Sequence, residues 1–110
     1  MQDRLPTRAH SDDGATIVRP RGEIDLASRD ELRAALRQCS GDVVVDLSEV
    51  VFLDATCVAV LVAEHARLTE HGGSLRLREP RASVSRTLAA AGLASWIDRD
   101  AGAMSPPRIG

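Results

Sequence analysis

Two hydrophobic periods run along this chain. Val43, Val44 and Val45, with Leu47 just behind, form a short run rich in β-branched residues. That composition suits a strand buried on both faces of a sheet. Residues 74–78 alternate Leu75 and Leu77 with Arg76 and Arg78, the pattern of a strand with one wet face. Residues 15–21, carrying Ile17 and Val18, predict a further strand. Pro20 argues that its end lacks a partner on the N–H side. Residues 5–10 predict a weak first strand, with Pro6 pointing to an edge position. Ser11-Asp12-Asp13-Gly14 is a turn cluster suited to a hairpin connection.

The other period is helical. Leu32, Ala35, Leu36 and Cys39 fall on one face. Ser28-Arg29-Asp30-Glu31 before them reads as a capping box, and Gly41 as a left-handed closing residue. A second helix is predicted from Asp54 to about Glu70, ended by His71-Gly72-Gly73. Its apolar face starts at Val58 and continues through Leu61, Val62 and a half-buried His65. Pro80 breaks the chain. Residues 82–91 predict a third helix with Val84, Leu88 and Ala91 on one face and Gly92 closing it. Trp96-Ile97 reads as a short final strand or extended end.

Two strands followed by alternating helix and strand imply an α/β domain. The expectation is a small, mixed four- to five-stranded sheet with helices packed against it, its parallel strands joined by right-handed crossovers. With 110 residues the chain is long enough for one domain and too short for two ordinary ones. The domain is expected over residues 1–100, with a disordered tail at 101–110.

Composition narrows the function. Net charge is −2, which gives no general attraction to nucleic acid or an anionic membrane. Phe52 and Trp96 are the only aromatics besides histidine, too few for a base-stacking surface. No apolar stretch approaches the length of a membrane span and the first residues lack a signal core, so a cytoplasmic protein is expected. Cys39 and Cys57 are too few for a disulfide scaffold and lack zinc spacing. His10, His65 and His71 have no metal-ligand spacing. No phosphate loop and no nucleophile–base–acid set is present, so neither a cofactor nor an enzyme is expected.

The candidate chemistry lies at the start of the second helix. Asp54 is placed to accept from the free N–H groups of the first turn. Thr56 and Cys57 follow where those groups point outward and the helix dipole is positive, a setting that holds negative charge well.

The segment Asp46-Leu47-Ser48-Glu49-Val50-Val51-Phe52-Leu53-Asp54-Ala55-Thr56-Cys57-Val58 resembles the signature of the STAS domain, the fold of bacterial anti-sigma factor antagonists. Gly22-Glu23-Ile24-Asp25-Leu26-Ala27-Ser28 ahead of an amphipathic helix looks like a second STAS motif, in the right order. The resemblance implies the STAS fold. It implies a partner that is an anti-sigma factor and often also a serine/threonine kinase, which phosphorylates a Ser or Thr at this helix start. The unmodified antagonist binds the partner and releases sigma.

This chain departs from the pattern at two positions. The usual acceptor directly follows the Asp, and here that residue is Ala55. Thr56 is the only hydroxyl left in the motif at the helix start. It is either an acceptor displaced by one residue, about 100° around a helix, or a residue satisfying its own backbone in a constitutive antagonist. The second reading is preferred. Asp25, Asp54, Ala55, Thr56 and Cys57 are the expected partner-binding residues. Asp54 also reads as a plain helix cap, and Asp25 as a turn-stabilising residue ahead of Ser28. Cys57 replaces the family's Gly. A thiol at a helix start can be reactive, and pairing with Cys39 would make a redox switch. A small core residue is the commoner role. A thiol-responsive STAS module is therefore the alternative to a plain antagonist. The arginines 76, 78 and 81 are expected to form a solvated face.

Overall fold

The computed structural model describes residues 8–12, as backbone, and residues 14–98. Pro6, the first part of the expected opening strand and the expected tail at 101–110 lie outside the described residues. The strands are β1 (Arg8–Asp12), β2 (Ala15–Arg19), β3 (Gly22–Ile24), β4 (Asp42–Asp46), β5 (Val50–Leu53) and β6 (Ser74–Arg78). The helices are α1 (Arg29–Arg37), α2 (Val58–Glu70) and α3 (Ala82–Ala90). One sheet has the order β1-β2-β4-β6, and β3 pairs with β5 in a separate two-stranded piece. β1 is antiparallel to β2, whereas β2, β4 and β6 are parallel. This is the α/β architecture the hydrophobic pattern implies.

Several elements differ from expectation in their bounds, each for a local reason. Ser11 and Asp12 belong to β1 rather than to a turn, because Asp12 pairs directly with Ala15. Gly14, just ahead of β2, has a φ of +83° that glycine adopts freely. β2 stops at Arg19, ahead of Pro20, which has no N–H to donate. β3 was not expected as a strand: three residues are too few to show a period. Residues 94–96 form a short 3-10 segment, and Ile97 makes a single parallel bridge to Leu77.

Val43, Val44 and Val45 are all buried, so β4 is covered on both faces. The core cluster takes Val18, Val43, Val45, Leu75 and Leu77 from the main sheet. Leu32 and Leu36 join it from α1, and Val84 and Leu88 from α3.

The core stripe of α2 departs from expectation. Cys57, Leu61, Glu64 and Leu68 carry it, flanked by Val58 and Val60. Val62, expected in the core, is 45% exposed. The polar residue in the middle of the stripe hid its phase. Glu64 is 1% exposed, and its carboxylate accepts from Arg37 Nε at 3.0 Å and Arg67 Nε at 2.7 Å. Arg67 Nη2 also donates to the carbonyls of Leu36 and Cys39, at 2.9 and 3.1 Å. One ion-pair cluster thus locks α2 to α1 and caps the free carbonyls at the end of α1.

The capping box at Ser28 does not form: its side chain makes no cap hydrogen bond to α1. Its hydroxyl instead accepts from the Asp25 N–H at 3.0 Å, drawn back into the preceding turn. Nor are the arginines a wholly solvated face. Arg78 donates to the buried Asp46 carboxylate at 2.9 Å, Arg19 pairs with the same oxygen at 3.3 Å, and Arg76 reaches Asp98.

Candidate functional site

β3 and β5 run parallel with Ile24 opposite Leu53. Their next residues, Asp25 and Asp54, therefore emerge side by side at the ends of neighbouring strands. The Asp54 N–H donates to the Ile24 carbonyl at 2.9 Å and holds the junction closed.

Asp54 caps the helix start as its position implied. Oδ1 accepts from the Thr56 N–H at 2.9 Å and from the Thr56 hydroxyl at 3.0 Å. These two bonds, the backbone one first, hold the Asp54 carboxyl below its ordinary range. A single 3-10 turn, Ala55–Cys57, leads into α2. It presents Ala55 and Thr56 to solvent and turns Cys57 inward, fully buried. The Cys57 thiol lies 3.5 Å from the Ile24 carbonyl, and burial pushes its pKa up.

Asp25 is engaged in its own turn. Its Oδ1 accepts from the N–H groups of Ala27 and Ser28 at 3.0 and 3.1 Å, and from the Ser28 hydroxyl at 3.2 Å. It braces the loop that carries Leu26.

The structure brings Asp25, Asp54, Ala55, Thr56 and Cys57 into one region, with only Ala55 and Thr56 openly displayed. It does not bring the two cysteines together. Cys39 lies at the end of α1, against Arg67. Cys57 precedes Arg67 by ten positions along the α2 segment, roughly 15 Å at helical rise. A disulfide needs Cα atoms within about 7 Å. Both thiols are free and buried, and burial raises the pKa of each. Reactivity at a helix start needs an exposed thiolate, and Cys57 is neither.

Sequence reasoning missed the apolar surface around this helix start. Leu26 is 61% exposed, Phe52 48% and Val62 45%. Leu26 directly follows Asp25, and Phe52 stands two residues before Asp54. Along α2, Ala59, Val62, Ala63 and Ala66 are exposed at helical spacing, without a charge among them. The one legible signal was that α2 is apolar on more than one face, which periodicity alone reads as a wider core stripe.

No helix among the described residues is long and apolar enough to cross a membrane. What fold and site define is a small α/β domain that displays one helix start, with exposed apolar side chains on the flanking chain segments. The family model "Mlab, STAS domain" matches residues 7–98, and the chain belongs to the STAS-domain family. Among solved structures, the anti-sigma factor antagonist SpoIIAA in its unphosphorylated form is 19% identical. The match covers 84% of this chain and 86% of that one, with a TM-score of 0.73. The phosphorylated form of the Bacillus cell fate determinant SpoIIAA is 16% identical over 84% and 89% of the two chains, with a TM-score of 0.66. An anti-sigma factor antagonist from Mycobacterium paratuberculosis is 25% identical over 83% and 80%, with a TM-score of 0.73. No curated protein matches the chain.

Proposed function

We propose that this STAS domain is an anti-sigma factor antagonist. It binds an anti-sigma factor of the serine/threonine-kinase type in the cytoplasm and thereby frees the sigma factor that partner holds. It acts by binding rather than by catalysis, and residues 1–100 form the working domain, followed by a tail at 101–110. The observation that carries this reading is the displayed helix start. Ala55 and Thr56 stand exposed on the 3-10 turn that leads into α2, with Val62 exposed on α2 itself and Leu26 and Phe52 exposed on segments that precede it in the chain. Exposed apolar side chains bordered by polar residues are a mark of protein-docking surfaces. The similar solved structures that are anti-sigma factor antagonists support the same role.

Binding here is constitutive. Ala55 has no hydroxyl at the position where the family's acceptor stands. Thr56 is a poor substitute, because its hydroxyl donates to an Asp54 carboxylate that is held ionised. A phosphate there would add roughly 1.5 to 2 negative charges directly against that carboxylate. A switchable antagonist modified on Thr56 is the second reading, favoured by the exposure of that side chain. The thiol-responsive alternative has two buried, separated cysteines against it.

The test is intact-mass analysis after incubation with the cognate anti-sigma kinase and ATP, alongside a pull-down of the complex. The native protein is expected to bind the partner and gain no mass. Ala55→Ser is expected to gain one phosphate and lose the complex. A phosphate on the native protein that disappears in Thr56→Ala would establish the second reading. Failure to bind any anti-sigma factor of its own organism, in either phosphorylation state, would sink the antagonist role altogether.

A further inference from the structure

A cleft of about 650 Å³ opens at the other end of the β3–β5 pair, lined by Arg21, Gly22, Glu49 and Arg81. It sits where those strands begin, since the Gly22 N–H donates to the Glu49 carbonyl at 2.9 Å. Asp25 and Asp54 lie beyond the strands' far ends, so this cleft is separate from the displayed helix start.

We propose that this cleft binds a small, soluble phosphate-bearing molecule, its phosphate held between the guanidinium groups of Arg21 and Arg81. Three features support this. The first is that Arg81 is aimed but unpaired. Its Nε donates to the Ser48 carbonyl at 3.1 Å, and it makes no ion pair with any carboxylate among the described residues. The Ser48 turn is itself fixed, because the buried Asp46 accepts from the Ser48 N–H at 2.9 Å while held by Arg78. This leaves the terminal N–H groups of the exposed Arg81 available to meet phosphate oxygens.

The second is that the acid in the cleft is weakly spent. Glu49 meets Arg21 Nε at 3.3 Å, with both side chains about half exposed. Such a pair contributes little, so an incoming dianion can take Arg21 over at small loss.

The third is the electrostatics of α3. Arg81 occupies its N-cap position, no side chain caps the helix, and its first turn holds no acid. A cation beside the positive end of a helix is unfavourable. An anion lodged against Arg81 relieves that repulsion. The cleft volume falls within the range of small-molecule sites, roughly 300 to 1,000 Å³, so there is room for an organic group beyond the phosphate.

The experiment is a titration followed by two-dimensional amide NMR, using inorganic pyrophosphate and glycerol 3-phosphate at constant ionic strength near 150 mM. Saturable shifts are expected at Gly22, Ser48, Glu49 and residues 81–84, and none at Thr56. Arg81→Gln and Arg21→Gln should each weaken binding at least tenfold, with unchanged thermal unfolding as the control for folding. Glu49→Gln should tighten it several-fold by freeing Arg21. Shifts that never saturate, that survive Arg81→Gln, or that weaken in Glu49→Gln would overturn the proposal. None of these outcomes depends on the anti-sigma factor reading, whose test is binding of a protein at the opposite end of β3 and β5.

Discussion

At the scale of single residues, the helix start rests on Asp54. Its carboxylate satisfies one first-turn N–H and the Thr56 hydroxyl together. Asp54→Ala should destabilise the helix start by removing its cap, read as a lower denaturation midpoint at pH 7. Acid should expose Asp46 similarly. Burial alone would raise its pKa, but hydrogen bonds from Ser48 and Arg78 outweigh that and lower it. A folded-state pKa below the unfolded one means stability that is present above about pH 4 and is lost as pH falls through the lowered value. The stability gap between the native protein and Asp46→Asn should therefore be widest near neutrality and close in acid. A gap that widened below pH 4 would reverse the assignment. The exposed Thr56 and buried Cys57 are adjacent in sequence, and only the turn geometry separates their fates.

At the scale of elements, the α1–α2 contact depends on a charge buried in a mostly apolar stripe. Glu64→Ala would leave Arg37 and Arg67 without their shared carboxylate. It should cost about 2 kcal/mol, given the strength of charged hydrogen bonds. Replacement by Leu should recover part of that loss, because a well-packed apolar residue often substitutes for a buried ion pair. Equilibrium unfolding of the two variants checks both statements. The turn before β6 has a tighter constraint. A Cβ on Gly73 would collide with the Gly41 backbone, which also accepts the Ser74 N–H at 3.1 Å. Gly73→Ala should lose about 1 to 3 kcal/mol, the range of overpacking, and shift amide resonances along β4 and β6. An unchanged unfolding midpoint would mean that the two turns can slide apart.

At the scale of the whole molecule, the two ends of the β3–β5 pair carry different chemistry. One end displays uncharged Ala55 and Thr56 together with Leu26 and Phe52 nearby in sequence, and the other gathers arginines around a cleft. Leu26→Asp and Phe52→Asp should lower the unfolding midpoint far less than a core substitution, since about half or more of each side chain is already exposed. If the proposed antagonist role holds, each should weaken capture of an anti-sigma factor at least tenfold, a loss of about 1.4 kcal/mol. Equal loss of stability and binding would instead make them structural.

Much of this was legible in order of signal strength. The valine run, the Leu-Arg alternation of 74–78, the amphipathic first helix and the Asp54 cap each carry their period or cap chemistry locally, and each appears within a residue or two of its expected place. That Ala55 directly follows Asp54, where the family resemblance leads one to expect a hydroxyl, is likewise plain from the residue string. The sequence by itself therefore determined the α/β class and the helix start at Asp54, because these follow from side-chain period and local hydrogen bonding. Tertiary structure alone decided the rest. It set which face of α2 is buried, paired Glu64 with two arginines, kept Cys39 apart from Cys57, and drew Arg21 and Arg81 to one cleft. Those outcomes depend on how elements distant in the chain pack, and packing distance leaves no mark on a local pattern.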